Sequence, residues 1–146
     1  MSATSKKLLR TDAPGAALFI RLSVGLIFLL EGIKKFLFVT QWGAGRFARI
    51  GFPDPQALAP TVGFFEIVCG LLLLLGLLTR LASLPLIVII SVAIISTKFP
   101  IFAKSGFWPM EDAARTDFAM LLGLIFLLVA GAGAYSLDAR IARRTS

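Results

Sequence analysis

The hydrophobic residues of this chain fall into four long runs, which are separated by more polar segments. The runs extend over about residues 15–38, 60–78, 81–97 and 118–134. Each is close to the ~20 residues that an α-helix needs to cross ~30 Å of hydrocarbon. The runs are rich in leucine and do not alternate polar with apolar positions, which argues against strands. The pattern therefore predicts an all-α protein, a bundle of four antiparallel transmembrane helices.

The links between the runs predict how these helices are connected. Only Thr79 and Arg80 separate the second run from the third, so these two runs should form a tight helical hairpin. The other two links, residues 39–59 and 98–117, are long for a compact bundle. Both are rich in Phe, Trp, Gly and Pro. We therefore expect two long aromatic loops at the level of the lipid head groups, on the non-cytoplasmic side.

The two ends of the chain are polar and basic. We divide the chain into an N-terminal tail (1–14), a four-helix membrane domain (15–138) and a C-terminal tail (139–146). With four spans, both tails and the Arg80 turn share one side, which holds seven Lys and Arg against five in the long links. Because cytoplasmic segments carry the excess of positive charge, both termini are predicted to be cytoplasmic. The first run lacks a signal-peptidase site, so we expect it to be retained.

Composition narrows the class of protein. The chain is 58% hydrophobic with a mean hydropathy of +0.89, so the lipid bilayer is its expected partner. The net charge of +7 comes from residues at the ends of the runs, as in membrane proteins, and nucleic acid is not an expected partner. There is no histidine and a single cysteine, Cys69, so this chain alone offers no His-ligated haem, iron–sulfur cluster or disulfide. No metal site is predicted.

Two carboxylates, Glu31 and Glu66, lie inside the apolar runs. A charge in hydrocarbon is costly and usually marks a site or a pathway. With a rise of about 1.5 Å per residue, Glu31 lies roughly 10 Å and Glu66 roughly 9 Å from the long-loop end of its helix. The two carboxylates are thus expected at one level. Lys34 and Lys35 follow Glu31 at spacings that bring them within reach.

The same end of the bundle should collect further charges. Lys98 ends the third run and Asp117 precedes the fourth, near the level of the two glutamates. We predict that Glu31 and Glu66 handle protons, and that the residues binding a ligand beside them are Lys35, Arg115 and Asp117. The competing interpretation is an ion-pair network that only fixes the register of the helices.

A second polar group is expected at the opposite, cytoplasmic level. It consists of Arg21, Arg80 and Asp138, which all lie at predicted helix ends and are therefore interpreted as structural. Cys69 is three residues from Glu66. A lone buried cysteine usually packs as a small hydrophobic residue, and we interpret it so.

Three motifs together resemble the DoxX family of small four-helix membrane proteins, and a fourth, Arg-Thr-Asp at 115–117, resembles a subset of that family. The three are an Arg-Gly-Phe-Gly-Lys stripe in residues 21–35, Glu-Ile-Val-Cys-Gly with a leucine run and Thr-Arg in 66–80, and Gly-Ala-Gly-Ala-Tyr-Ser-Leu-Asp at 131–138. Residues of the first motif share one face of a helix, and its glycines permit close helix contact.

The resemblance implies a bacterial inner-membrane protein. The family is related to membrane subunits of thiosulfate:quinone oxidoreductase, and some members are linked to thiol or oxidative stress. It therefore implies a membrane subunit of a quinone-linked or thiol/sulfur redox system, with quinone as candidate cofactor and an oxidoreductase or sulfur enzyme as partner. Many relatives have a histidine before the glycine that matches Gly32, where this chain has Glu31. Any proton transfer by that histidine would here fall to Glu31.

Two other functions stay open at this point. Paired intramembrane carboxylates also suit a small proton-coupled transporter, although four helices are few for transport unless the protein forms a homo-oligomer. A structural or assembly subunit without a site of its own is the other alternative. The chain shows no self-contained catalytic constellation, so it is interpreted as a subunit rather than as a complete enzyme.

Overall fold

The computed structural model describes residues 13–144. Over this part of the chain the regular structure is helical and includes no strand, which confirms the all-α prediction. Most of the predicted N-terminal tail (1–14) and the end of the C-terminal tail lie outside the described residues.

Seven α-helices and one π-helical segment make up the described part of the chain. They are α1 Ala17–Leu37, α2 Ala44–Ile50, α3 Pro55–Leu75, α4 Thr79–Ala93, the π segment Ile94–Lys98, α5 Phe99–Ser105, α6 Phe107–Ala130 and α7 Leu137–Arg144. Within residues 13–144, three helical stretches are long and apolar enough to cross a membrane: Pro55–Leu75, Thr79–Ser105 and Phe107–Ala130. Helix α1 has 21 residues, but its four charges lie towards both of its ends, whereas the four charges of Phe107–Ala130 all lie in its first half.

Helix α1 packs along α3, and this is the most extensive contact between two helices of the described chain. Gly70 permits the close approach. A Cβ atom at this position would lie only 2.8 Å from the backbone nitrogen of Leu29 and 2.9 Å from the carbonyl oxygen of Gly25. A small residue is therefore required where the two helix backbones meet, as is common inside membranes.

The core is apolar and lies between the four long helices. Its most buried members are Phe28 of α1, Leu73 of α3, Leu86 of α4, and Leu124 and Leu127 of α6. Large apolar side chains also cover the outward faces of the same helices. An apolar exterior of this extent fits a hydrocarbon environment rather than water. The chain is a membrane protein.

The two long links contain helices, which differs from the predicted loops. The first includes α2, and in the second α5 is followed directly by α6, which begins at Phe107 rather than near Phe118. Gly106 is the break between them. Pro100 and Pro109 suggested a loop, but Pro109 occupies the first turn of α6, where a missing N–H breaks no helical hydrogen bond, and Pro100 directly follows the π segment, where the regular helical hydrogen bonding is already interrupted.

The tight link between the second and third runs is confirmed. Helix α3 ends at Leu75, and α4 begins at Thr79. Gly76 has a φ of 64° and Leu78 a φ of 49°, so two of the three linking residues adopt the left-handed conformation. The start of α3 differs from the prediction, since the helix begins at Pro55, a favourable first position for proline.

Candidate functional site

A cavity of about 540 Å³ lies at the end of the bundle that contains the end of α1 and the start of α3. This volume falls within the ~300–1,000 Å³ typical of small-molecule sites. Residues from α1, α2, α3, α4, the π segment and α6 line it, and most of its surface is apolar. Its charged lining residues are Glu31, Lys34, Lys35, Arg46, Glu66, Lys98 and Asp117.

The most buried charges of the cavity belong to one ion pair between α1 and α3. Lys35 Nζ lies 2.5 Å from Glu66 Oε2, and the two side chains are only 12% and 5% exposed. Lys35 Nζ is also 3.5 Å from the backbone oxygen of Glu31. Each charge compensates the other away from water, where an unpaired charge would be very costly.

A second ion pair lies at the edge of the cavity, within α1. Lys34 Nζ donates to Glu31 Oε1 at 2.5 Å, and both side chains are more exposed than Lys35 and Glu66. Lys34 Nζ also lies 4.6 Å from the ring centre of Trp42, and the Arg46 guanidinium lies 5.2 Å from it. Both cations are thus close enough for attraction to the ring. The two glutamates line one cavity as predicted, but Glu31 is at its edge while Glu66 is buried.

A third ion pair joins the π segment to α6. Lys98 Nζ lies 3.1 Å from Asp117 Oδ2. Thr97 Oγ1 donates 2.6 Å to the backbone oxygen of Ala93, so a hydroxyl satisfies a carbonyl where the helix widens. π-Helical segments are often found at functional sites. This segment was not predicted, although Pro100 follows it, and Ser96, Thr97 and Thr116 were not predicted as lining residues.

The cavity carries a surplus of positive charge. Its described lining includes four cations and three carboxylates, and each carboxylate is paired with a lysine. The ammonium groups are hydrogen-bond donors, so the lining suits a ligand that presents acceptor oxygens. Within residues 13–144, no cluster of His, Cys, Asp and Glu is able to hold a metal ion.

Helix α2 covers the cavity on the side of the link between α1 and α3. Trp42, Arg46, Phe47 and Phe52 of this region line the cavity, and the rings of Phe47 and Phe52 are 5.4 Å apart. Arg49 holds the start of α2 by donating to the backbone oxygens of Thr40 and Gln41 at 3.1 and 2.9 Å. The sequence assigned these aromatic residues to a head-group belt and missed their place over a cavity.

Arg115 lies outside the cavity that it was predicted to line. Its side chain is exposed and pairs with Asp112 at 2.6 Å, one turn earlier in α6. Asp117, two residues later, does line the cavity. Cys69 is a buried member of the apolar core, consistent with packing.

The predicted structural group at the other end of the molecule forms a clasp around the hairpin. Asp138 accepts hydrogen bonds from the N–H groups of Leu78 and Thr79 at 2.7 and 3.0 Å, and its own N–H donates to Gly76. Burial raises the pKa of the Asp138 carboxyl, whereas these backbone N–H groups and the charge of Arg21 act in the opposite direction.

Arg21 completes this clasp from α1. Its guanidinium donates to the backbone oxygens of Ala132 and Tyr135, both at 2.7 Å. Arg21 therefore contacts the backbone of the segment that carries Asp138. Arg80 lies next to the hairpin, and its buried Nε has no hydrogen-bond partner among the described residues.

Fold and site together define a helical membrane protein with a charged cavity near one membrane surface and a clasped helical hairpin at the other end. Sequence comparison gives the family. The DoxX family model matches residues 16–98, and the model described as "TQO small subunit DoxD" matches residues 58–146. The chain belongs to the DoxX family, and the resemblance of its motifs is confirmed.

Two relatives illustrate the similarity. An uncharacterized membrane protein of Mycobacterium tuberculosis is 49% identical over 96% of this chain and 90% of its own length. An uncharacterized protein of Haemophilus influenzae is 36% identical over 82% of this chain and 86% of its own length. No solved structure matches the chain.

Proposed function

We propose that this chain is a four-span membrane subunit of a quinone-linked redox system, and that its cavity binds the quinone head group. The observation that carries the proposal is the buried Lys35–Glu66 pair in the wall of a largely apolar cavity of head-group size. The matching family model named for a TQO small subunit supports a redox role.

Helix α1 is the fourth span in this proposal. Its length of 21 residues is sufficient to cross the hydrocarbon. Two of its four charges are withdrawn from lipid, because Arg21 is buried in the clasp and Lys35 pairs with Glu66, and the other two, Glu31 and Lys34, pair with each other at the cavity edge. Its outward stripe is apolar and consists of Phe19, Leu22, Leu26 and Leu30, all exposed.

The proposed location is the bacterial inner membrane, with both termini and the clasp at the cytoplasmic surface. The distribution of Lys and Arg favours this orientation. The cavity then lies in the opposite half of the bilayer, beneath α2. A partner oxidoreductase or sulfur enzyme supplies electrons from outside this chain.

The cavity offers what a quinone head group needs. Quinone oxygens accept hydrogen bonds, and the ammonium groups of Lys35 and Lys98 are donors in the lining. Reduction to quinol takes up two electrons from the partner and two protons. Glu66 and Glu31 line the cavity as carboxylates that can accept and pass on these protons.

The two tryptophans provide a matched test of head-group binding. Trp42 lines the cavity, whereas Trp108 is exposed and lies outside it. In lipid nanodiscs, the Trp108→Phe variant reports from Trp42 alone, and Trp42→Phe reports from Trp108 alone. Titration with a tail-free quinone should give saturable quenching of Trp42 only. Equal, non-saturating quenching of both tryptophans would contradict binding in the cavity.

Glu66 should be required for this binding. In the Trp108→Phe background, Glu66→Gln should weaken the apparent affinity by about tenfold or more. Glu111→Gln is the matched control, because Glu111 is an exposed carboxylate of α6 that does not line the cavity. An equal effect of both replacements would point to a general charge effect.

A purely structural network is the second candidate role for these charges. The observation that favours it is that all three carboxylates of the cavity are already paired with lysines. This role predicts that replacements at Lys35 and Glu66 change stability, while quenching of Trp42 by quinone is neither saturable nor dependent on Glu66.

A further inference from the structure

The edges of the cavity differ in the residues that they expose. Helix α2 and the residues beside it form a cover over the end of the bundle, with Trp42 and Phe47 among the lining residues. Phe47 packs against Phe52, which also lines the cavity. The edge on this side is polar or amphipathic, because Trp42, Glu31 and Lys34 line the cavity and are partly exposed.

The wall formed by α4 is different. Val88 and Val92 line the cavity, yet they are 61% and 43% exposed on the outside of the bundle. A side chain that lines a cavity and is also exposed marks its rim. Both residues lie within the membrane-spanning stretch Thr79–Ser105, so this rim faces hydrocarbon.

Helix α3 contributes apolar residues to the same rim. Leu58 and Val62 are one turn apart on α3 and line the same cavity. The rim is therefore apolar on both helices, whereas the charged pairs Lys35–Glu66 and Lys98–Asp117 lie in the lining of the cavity. On α3 the apolar residues Leu58 and Val62 precede Glu66, so this helix contributes both apolar and charged lining.

From this arrangement we infer that the cavity takes its ligand from the bilayer through an opening between α3 and α4. The ligand is an amphiphile, with a hydrogen-bonding head at the charged pairs and a long apolar tail that passes Val88 and Val92 into the lipid. This inference rests on the proposed function and narrows its ligand to long-chain, lipid-soluble quinones. A tail that stays in hydrocarbon is never transferred to water during binding.

The test narrows the opening without altering the charged residues. Val88→Phe is placed in the Trp108→Phe background, and Val129→Phe is the control, since Val129 is an exposed valine of α6 outside the cavity lining. Each variant, folded by circular dichroism and size-exclusion chromatography, is titrated in nanodiscs with a tail-free quinone and with the same head group on a long isoprenoid tail. The long tail partitions into lipid equally for every variant, so this contribution cancels when the apparent affinities of two variants are compared.

The expected result is specific to the tail. Val88→Phe should weaken binding of the long-chain quinone by about tenfold and leave the tail-free quinone within about twofold, while Val129→Phe changes neither. If Val88→Phe does not fold, Val92→Phe replaces it. Equal weakening of both quinones, or of neither, overturns the opening between α3 and α4 while head-group binding stands. Absence of Glu66-dependent binding by either quinone overturns the proposed function itself.

Discussion

Lys35 of α1 and Glu66 of α3 join two helices through one buried ion pair, with 2.5 Å between Nζ and Oε2. They are 31 residues apart in sequence, and both line the cavity. Their pairing removes the cost of two isolated charges inside the bundle, and it also holds donor and acceptor groups beside a space of head-group size.

Replacing only one member of this pair should destabilise the protein strongly. Glu66→Leu leaves the Lys35 ammonium buried without its partner, and we expect a loss of about 3 kcal/mol or more. The double variant Lys35→Met with Glu66→Leu should recover most of this loss, because no buried charge is left. The stabilities of the single and the double variant are measured by thermal unfolding in detergent, followed by size-exclusion chromatography. A double variant as unstable as Glu66→Leu would show that the pair is not an isolated unit.

The contact between α1 and α3 should be sensitive to a single methyl group at Gly70. Gly70→Ala places a Cβ against backbone atoms of Leu29 and Gly25 that cannot rotate away, and we expect a cost of about 1–3 kcal/mol. Gly123→Ala is the control. Its Cβ would meet only side-chain atoms of Val24 and Ile20 and no backbone atom, so we expect a smaller cost there. Equal thermal stability of the two variants would contradict the close backbone approach.

Asp138 should stabilise the hairpin through its two backbone hydrogen bonds. Asp138→Ala leaves the N–H groups of Leu78 and Thr79 without this acceptor, and we expect a loss of about 1–3 kcal/mol. Asp112→Ala provides the comparison, because it removes an exposed ion pair with Arg115 that is worth less than about 1 kcal/mol. The unfolding midpoints of the two variants should therefore differ clearly. Matching midpoints would argue against a stabilising role for the clasp.

Helix α1 should cross the membrane in spite of its charges. In a Cys69→Ala background, Pro14→Cys and Gln41→Cys place single thiols just before and just after α1, both at exposed positions. A membrane-impermeant maleimide added to intact spheroplasts should label position 41, and position 14 only after permeabilisation. If both thiols were labelled from the same side, α1 would not cross the membrane, and three spans rather than four would remain.

Helix geometry made the main features of the site predictable from sequence. Glu31, Glu66 and Asp117 were placed at one level by counting residues along straight helices, and all three line the cavity. For Arg115, counting residues predicted the depth along the helix but not the direction in which the side chain points. Because α6 is already helical at that position, Arg115 and Asp117 differ by about 200° around the axis, and only one of them faces inward.

Other parts of the site had no strong local signal. The π segment Ile94–Lys98 widens a continuous helix, and Pro100, two residues after it, indicates a disturbance of the helix but does not specify its form. Helix α2 is only seven residues long, but Gly43 and Gly51 border it and its cation Arg46 points to a short amphipathic helix. The sequence nevertheless predicted a loop there, and the position of the helix over the cavity depends on packing against α3.

The clasp has a consequence for biosynthesis. The hairpin between α3 and α4 emerges from the ribosome before Asp138 exists, so its strained turn at Leu78 lacks the Asp138 carboxylate until residue 138 has been synthesised. Arg21, among the first residues of α1, likewise waits for Ala132 and Tyr135. The clasp therefore forms only after residues 132–138 have been synthesised, when they join a helix and a hairpin that were made earlier, and a ribosome that stops before residue 138 releases a product without the clasp.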